Sequence, residues 1–374
     1  MSETTDFNTF RFGFVGLGLI GGSIAKAIRS FWPTAGIIAY NPSRDTLEES
    51  IRDGVVNSGA CSEDGPLDGA MFENCDVVFL CAPVQKNAEN LAALKGHLKS
   101  SAILTDIGST KRDIQEQVEK EGLSSFFVGG HPMTGSERTR YHNSRASLLE
   151  NAYYIVAPTK DTPAEKTACL QEFVRQIKAI PLVISCPFHD YAVAGISHLP
   201  HVVSAGLVNL VKNSDSEDAV MHAIAAGGFK DITRISSSSP VMWEQICMTN
   251  GDNITRLLDS YIEELQKIRE DIAEKNKTKV YDFFDSAKNY RDSFDGTSSG
   301  AHNLLHLLFV DIEDHPGMLA EVVTLLAVNA ISIKNIGITH NREYQEGTLR
   351  VEFYSEQDLN EAREILTTRN YTIH

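Results

Sequence analysis

His131 stands where a proton acceptor for a redox reaction would stand. It lies in Gly129-Gly-His-Pro-Met-Thr-Gly-Ser-Glu137, downstream of Gly16-Leu-Gly-Leu-Ile-Gly21. An imidazole titrates near neutrality, so it can take a proton while a nicotinamide ring takes a hydride. Further along, Arg234 closes Ala226-Gly-Gly-Phe-Lys-Asp-Ile-Thr-Arg, a mostly neutral run. A guanidinium there is a forked anchor for a carboxylate. Base, anchor and hydride acceptor together imply oxidation of a small anionic alcohol.

In the Gly-rich run each glycine has a task. Gly16 allows a tight turn, Gly18 lets backbone approach a pyrophosphate, and Gly21 lets a helix pack on a strand. Leu19 and Ile20 open that helix, whose free N–H groups face the phosphates. The ribose should be read some 20 positions on, where the chain is Tyr40-Asn-Pro-Ser-Arg44. No carboxylate closes the second strand. Asn41, Ser43 and Arg44 suit a 2′-phosphate, or else Asn41 and Ser43 simply turn the chain with Pro42 and Arg44 is solvated. NAD and NADP both stay open.

The elements needed to position these residues are legible. Short apolar strands at 10–15, 37–40, 77–82, 102–106 and 153–157 alternate with helical patterns. That order predicts an α/β fold, a doubly wound parallel (Rossmann) sheet over 10–160. Asp106-Ile-Gly-Ser-Thr-Lys111 follows one strand, so Ser109 should reach the ligand crevice and orient the His131 ring. From 161 to 290 helical periodicity dominates, apart from a strand-like 181–185, predicting an all-helical second domain. Within it, His189 reads as a cap or interface residue and Trp243 as core. Polar, Gly/Ser-rich residues place a linker at 291–302. Residues 303–374 then read βαββα, with 371–374 a candidate last strand, a ferredoxin-like α+β unit.

The net charge of −16 argues against nucleic acid and anionic membranes as partners. The six cysteines show no CxxC pair and no zinc spacing, so reduced thiols in a cytoplasmic protein are expected. His198 and His201 share a helix side, but Pro200 between them and the absence of a nearby third ligand argue against a metal. The polar first ten residues predict no signal peptide. The apolar stretch 191–211 is long enough to span a bilayer, but its His198, Pro200 and His201 and its lack of basic flanks favour a buried helix.

Five ordered segments carry a family resemblance: GLGLIGGS at 16–23, DIGSTK at 106–111, GGHPMTGSE at 129–137, HDYAVAGISHLPH at 189–201 and GGFKDITRI at 227–235. With them, almost the whole chain resembles the prephenate dehydrogenases of bacterial tyrosine biosynthesis. The resemblance implies oxidative decarboxylation of prephenate to 4-hydroxyphenylpyruvate, with hydride passing to NAD or NADP. It implies His131 as base with Ser109 beside it, Arg234 on a substrate carboxylate, and His201, Ser136 and Glu137 lining the pocket. Lys230 and Asp231 flank Arg234 and would position it. The family further implies a homodimer built through the helical domain.

The C-terminal unit resembles an ACT domain through Asp314-His-Pro-Gly317 at a strand-to-helix turn. Asp314, Gly317 and Asn335 would then bind an amino-acid effector, L-tyrosine being the end product. A dimerisation module without ligand is the alternative. Arogenate is the rival substrate. A β-hydroxyacid dehydrogenase and a non-catalytic amino-acid sensor are the other readings. The first is disfavoured by the GGHPMTGSE and GGFKDITRI segments, the second by the presence of both His131 and Arg234.

Overall fold

The computed structural model describes residues 5–135, 138–297, 306–313, 316–340 and 346–373. It divides into two units, 1–263 and 264–374.

The first unit begins with β1 (Arg11–Val15), α1 (Leu19–Phe31), β2 (Gly36–Asn41), α2 (Arg44–Arg52), β3 (Ser58–Cys61) and β4 (Val77–Leu80). Next come α3 (Asn87–Leu94), β5 (Ile103–Asp106), α4 (Arg112–Glu121) and β6 (Val128–Pro132). β4 (Val-Val-Phe-Leu) and β1 from Phe12 to Val15 are buried throughout, as strands covered on both faces must be. The five parallel strands lie in the order β3-β2-β1-β4-β5. The chain reverses its direction of travel between β1 and β4, which opens a crevice at their carboxyl ends. β3, a short Ser-Gly-Ala-Cys edge strand, has too little apolar patterning to be read from sequence.

A parallel bridge, Leu104 to Phe127, leads from β5 into β6. β7 (Tyr153–Pro158) runs antiparallel to β6, and β8 (Ile180–Val183) runs parallel to β7. Strand–helix alternation suggests an all-parallel sheet. Here the 133–152 return carries short 3₁₀ turns in place of a crossover helix, and the strand reverses. Those turns lie against α1, where a Cβ on Gly22 would stand 2.8 Å from atoms of Tyr141 and Ser144. α5 (Ala164–Gln176) bridges β7 and β8. Its Phe173 lies 5.7 Å from Phe12 and 5.5 Å from Trp32, inside the aromatic core. Helical periodicity after 163, which reads as the start of the second domain, is thus a crossover of the α/β layer.

The helical part opens with α6 (Cys186–Val193), a π-turn (Ala194–His198) and α7 (Leu199–Ser214). Pro200 lacks the N–H that a regular helix requires there, and the π-turn ends two residues before it. α8 (Val220–Ile224), α9 (Gly227–Thr233), α10 (Pro240–Thr249) and α11 (Gly251–Ala273) follow. By length and composition Cys186–Ser214 could cross a membrane, and only 22% of its most apolar window is buried in this chain. The single chain thus leaves most of the expected buried helix uncovered. Ile196, Leu210, Ile224 and Met248 all leave more than half their surface exposed. Yet His189, Asp190 and His198 are buried on the helix's other side.

In the second unit α12 (Lys277–Thr297) occupies the first half of the expected linker. A Lys288–Asp292 ion pair and a Tyr290–Phe294 ring contact, both at i,i+4, stabilise helix there despite the polar composition. β9 (His306–Glu313), α13 (Met318–Val328), β10 (Ile333–His340), β11 (Glu346–Phe353) and α14 (Glu356–Thr368) complete the chain. The antiparallel order is β10-β11-β9, and Ile373 bridges to Val310 on the outer edge of β9. Leu308, Val310 and Ile312 alternate onto one face against Val322 and Leu326 of α13 and Ala362 and Leu366 of α14. This is a ferredoxin-like α+β arrangement.

Candidate active site

The Gly-rich loop joins β1 to α1 at the crevice. Gly16 has φ +101°, and a Cβ there would lie 3.0 Å from Cys81 and Ala82 beyond β4. A Cβ on Gly21 would stand 2.9 Å from the Gly16 carbonyl oxygen. Gly18 faces open space and precedes α1 with no side-chain cap. The N–H groups of Leu19 and Ile20 therefore point at a cradle that a side chain on Gly18 would fill. This fits a dinucleotide pyrophosphate.

The ribose end is committed internally. The Asn41 Oδ1 accepts from Leu17 N–H (2.9 Å), and its Nδ2 donates to the Ser43 carbonyl (3.0 Å). The Ser43 hydroxyl caps α2 by accepting from Thr46 N–H. Arg44 is partly exposed and ion-paired: its Nε meets Glu63 at 2.9 Å and its Nη2 meets Asp64 at 2.6 Å. The Arg44 guanidinium, aided by the Cys61 backbone N–H, holds Asp64 down at about 2.

His131 lies in β6, beside the crevice. Its Nδ1 stands 2.8 Å from His189 Nε2, and His189 Nδ1 stands 2.7 Å from Asp190 Oδ1. Asp190 accepts from the N–H groups of Lys111 and Arg112, each at 2.8 Å, at the start of α4. Asn250 Nδ2 donates to the Asp190 carbonyl (2.7 Å) and lies 3.1 Å from His198 Nδ1. Beneath the cluster Lys111 is ion-paired with Asp106, fully buried. Asp106 also accepts from Gly130 N–H at 3.1 Å. A Cβ on Gly130 would come within 2.5 Å of the Asp106 carbonyl oxygen, so only glycine lets β6 approach β5 this closely.

Burial, then the nearby Lys111, His189 and His198, push the His131 pKa well below the ordinary histidine value. The imidazole is neutral at pH 7 and able to accept a proton. Burial likewise lowers His198 to about 4 and depresses His201. His201 Nδ1 donates to the Ser197 carbonyl at 2.8 Å, and its ring stacks on Trp243 at 3.8 Å. Trp243, expected as core, is instead half-buried against this histidine, with an indole N–H that meets no acceptor among the described residues.

Sequence reasoning paired His131 with Ser109. Ser109 lies half-exposed after β5, but no hydrogen bond joins it to His131 among the described residues; the ring partner is His189. Sequence reasoning gave His189 a cap or interface role, with a functional contact as the alternative, and did not single out Asp190 or Asn250. Lys230 and Asp231 lie in α9 and Arg234 opens the 3₁₀ turn after it, all exposed; the segment is held to α7 by Ser204, which donates to the Ile232 carbonyl and meets Ser236 at 2.6 Å. Ser136, Glu137 and Asp314 lie outside the described residues. Gly317 stands at φ +102° immediately before α13, and Asn335 lies in β10. Among the described residues no three His, Cys, Asp or Glu side chains form a metal-binding group.

A Gly-rich helix start at the switch point and a neutral histidine on a neighbouring strand define a dinucleotide-dependent oxidoreductase. Residues 24–182 match the family described as "Prephenate dehydrogenase, nucleotide-binding domain", and 185–286 match "Prephenate dehydrogenase, dimerization domain". The chain is 35% identical over 356 residues to a prephenate dehydrogenase of Bacillus subtilis (strain 168), covering 95% of each. The solved A. aeolicus prephenate dehydrogenase, in complex with hydroxyphenyl propionate and NAD+, aligns with TM-score 0.71 and 27% identity over 76% of this chain and 98% of that one. Synechocystis arogenate dehydrogenase aligns at TM-score 0.68 and 27% identity, over 76% and 99%. The chain belongs to the prephenate dehydrogenase family.

The depressed histidines tie stability to pH. A buried histidine kept neutral lets only the unfolded chain take up a proton between its folded and unfolded pKa values. Stability is therefore complete above about 6.5 and falls as pH drops towards 4. His198 alone should remove roughly 2 kcal/mol between pH 7 and 5. Urea unfolding at the two pH values reads this directly, and an unchanged midpoint would refute it.

Proposed function

We propose that this enzyme oxidises prephenate with loss of CO₂ to give 4-hydroxyphenylpyruvate, and that His131 accepts the proton of the ring hydroxyl. The carrying observation is the neutral His131 imidazole on β6, next to the crevice that the Gly-rich helix start faces. A bound nicotinamide dinucleotide supplies the hydride acceptor. The protein's own task is to hold the hydroxyl at His131 and the substrate carboxylates in place while the ring becomes aromatic. Ser109 donates a hydrogen bond to the same hydroxyl. Arg234 anchors a carboxylate with Lys230 and Asp231 around it, and His201, Ser136 and Glu137 line the side-chain end. Arogenate, which carries an amino group where prephenate has a keto group, is the second reading, supported by the similarity to the Synechocystis enzyme.

The cofactor of this reading is NAD. Two carboxylates, Glu63 and Asp64, face the single Arg44 guanidinium. These three groups leave net negative charge beside the end of the second strand, contributed from beyond β3, which repels a 2′-phosphate and tolerates a 2′-hydroxyl. The working domains are an α/β layer through Val183, helices from Cys186 that dimerise through the exposed apolar face of Cys186–Ser214, and the C-terminal unit. That unit acts as an ACT domain, with Asp314, Gly317 and Asn335 receiving L-tyrosine. The assembly is a cytoplasmic homodimer.

His131→Asn should lower kcat by about 10²–10⁴ while dinucleotide affinity is kept. Near-normal turnover would remove His131 from the base role. The wild-type enzyme should use NAD at least tenfold better than NADP, and Glu63→Gln with Asp64→Asn should narrow the gap by freeing Arg44. Cofactor titration by fluorescence, beside kcat/KM for both, tests this; a native preference for NADP would overturn it. L-Tyrosine should bind the full chain, with Asn335→Ala weakening binding about tenfold, within the range of single polar contacts. Calorimetry showing equal binding to both proteins would place the effector elsewhere.

A further inference from the structure

A base must present one defined nitrogen, and the groups behind His131 decide which. Asp190 is 2% exposed, and its carboxylate is seated on the first N–H groups of α4. Burial alone would raise its pKa, but the hydrogen bonds from His189, Arg112 and Lys111 hold it below the usual carboxylate range. An ionised carboxylate only accepts. His189 Nδ1, 2.7 Å away, must therefore carry hydrogen. When His189 carries that one hydrogen alone, its lone pair lies on Nε2, which faces His131 Nδ1 at 2.8 Å. For that contact to be a hydrogen bond, His131 Nδ1 must be the donor, and its lone pair falls on Nε2.

We propose that His189 and Asp190 are positioning residues that lock His131 in the Nδ1–H tautomer, leaving Nε2 as the atom that takes the substrate's proton. This rests on the reading of His131 as the base. The step itself is simple: the substrate O–H bond breaks, an N–H bond forms at His131 Nε2, and the imidazolium keeps its Nδ1–H bond to His189. The other tautomer would set a lone pair of His131 against the lone pair of His189.

The remaining charged and titratable groups around the cluster leave this assignment standing. Lys111, after β5, is neutralised by Asp106. The Arg112 side chain turns outward to Glu116 and Asp252. His198 of the π-turn is held neutral at pH 7 and is engaged by Asn250. Tyr154 of β7 and Cys186 of α6 are kept protonated by burial, Cys186 at about 12. Among these groups only Asp190 both carries charge and touches the histidine pair, so it sets the direction of every hydrogen bond in the chain.

The experiment pairs two variants with one spectroscopic reading. His189→Leu removes the acceptor behind His131 and should lower kcat about a hundredfold, the scale of general-base effects. KM for prephenate and dinucleotide affinity should stay within about threefold, because the contacts that bind are not touched. His189→Gln offers a side-chain oxygen to His131 Nδ1–H and should recover most of the lost rate. A purely structural His189 would instead show losses that follow the melting temperature, with no recovery of kcat by Gln beyond its recovery of stability. That result would overturn the proposal. If neither variant folds, ¹⁵N-histidine NMR of the full-length wild-type protein at pH 7 still decides: His131 should be protonated at Nδ1, and protonation at Nε2 would overturn the assignment. Full activity in His131→Asn would sink the base reading itself; collapse of that variant beside a normal His189→Leu would sink the positioning role alone.

Discussion

The Asp190 carboxylate is the constraint on which the site depends. It belongs to the helical part, yet two of its three hydrogen-bond donors are backbone N–H groups of the α/β layer. A buried charge is tolerable only when fully partnered. Here the partial positive charge at the start of α4, with its otherwise unpaired N–H groups, provides that partnering. The carboxylate therefore fixes α6 against α4 in one register. The adjacent His189 reaches across the same seam to β6. Asn250 adds a third element by donating to the Asp190 backbone carbonyl.

A second buried charge, Lys111, lies directly beneath and is cancelled by Asp106. Asp106 in turn accepts from the N–H of Gly130, one residue from His131. The strand that carries the base is thus pinned from below by one ion pair and from behind by the His189–Asp190 pair. Both arrangements hold the ring still before substrate arrives. That is the preorganisation from which a proton acceptor gains most, since no reorientation is left for the reacting step.

Much of this was legible in the residues. The glycines at 16, 18 and 21 and the histidine at 131 announce themselves because each needs a local condition, a turn or a strand end, that the neighbouring sequence displays. His189 did not. Its partner is 58 positions away, and a His-Asp pair after Pro187 has the look of a helix start. Arg44 stayed open for a similar reason, since Glu63 and Asp64 become its neighbours only when β3 pairs with β2. The apolar run of 191–211 was read as buried because composition cannot separate a face turned to its own core from one turned to another surface. In 291–297 the composition of a linker concealed side chains spaced at i,i+4 for helix.

The π-turn before Pro200 acts on angle rather than on length. Twelve positions along a regular α-helix separate His189 from His201 and would turn the second about 120° away from the first, at 100° per residue. A π-turn absorbs one extra residue, so the effective separation is eleven positions and the offset falls to about 20°. Both histidines then look out from nearly the same meridian of one long helix. The irregularity is therefore a phase setting: were the same twelve positions wound as regular α-helix, the run would be smoother and just as apolar, and His201 would face elsewhere.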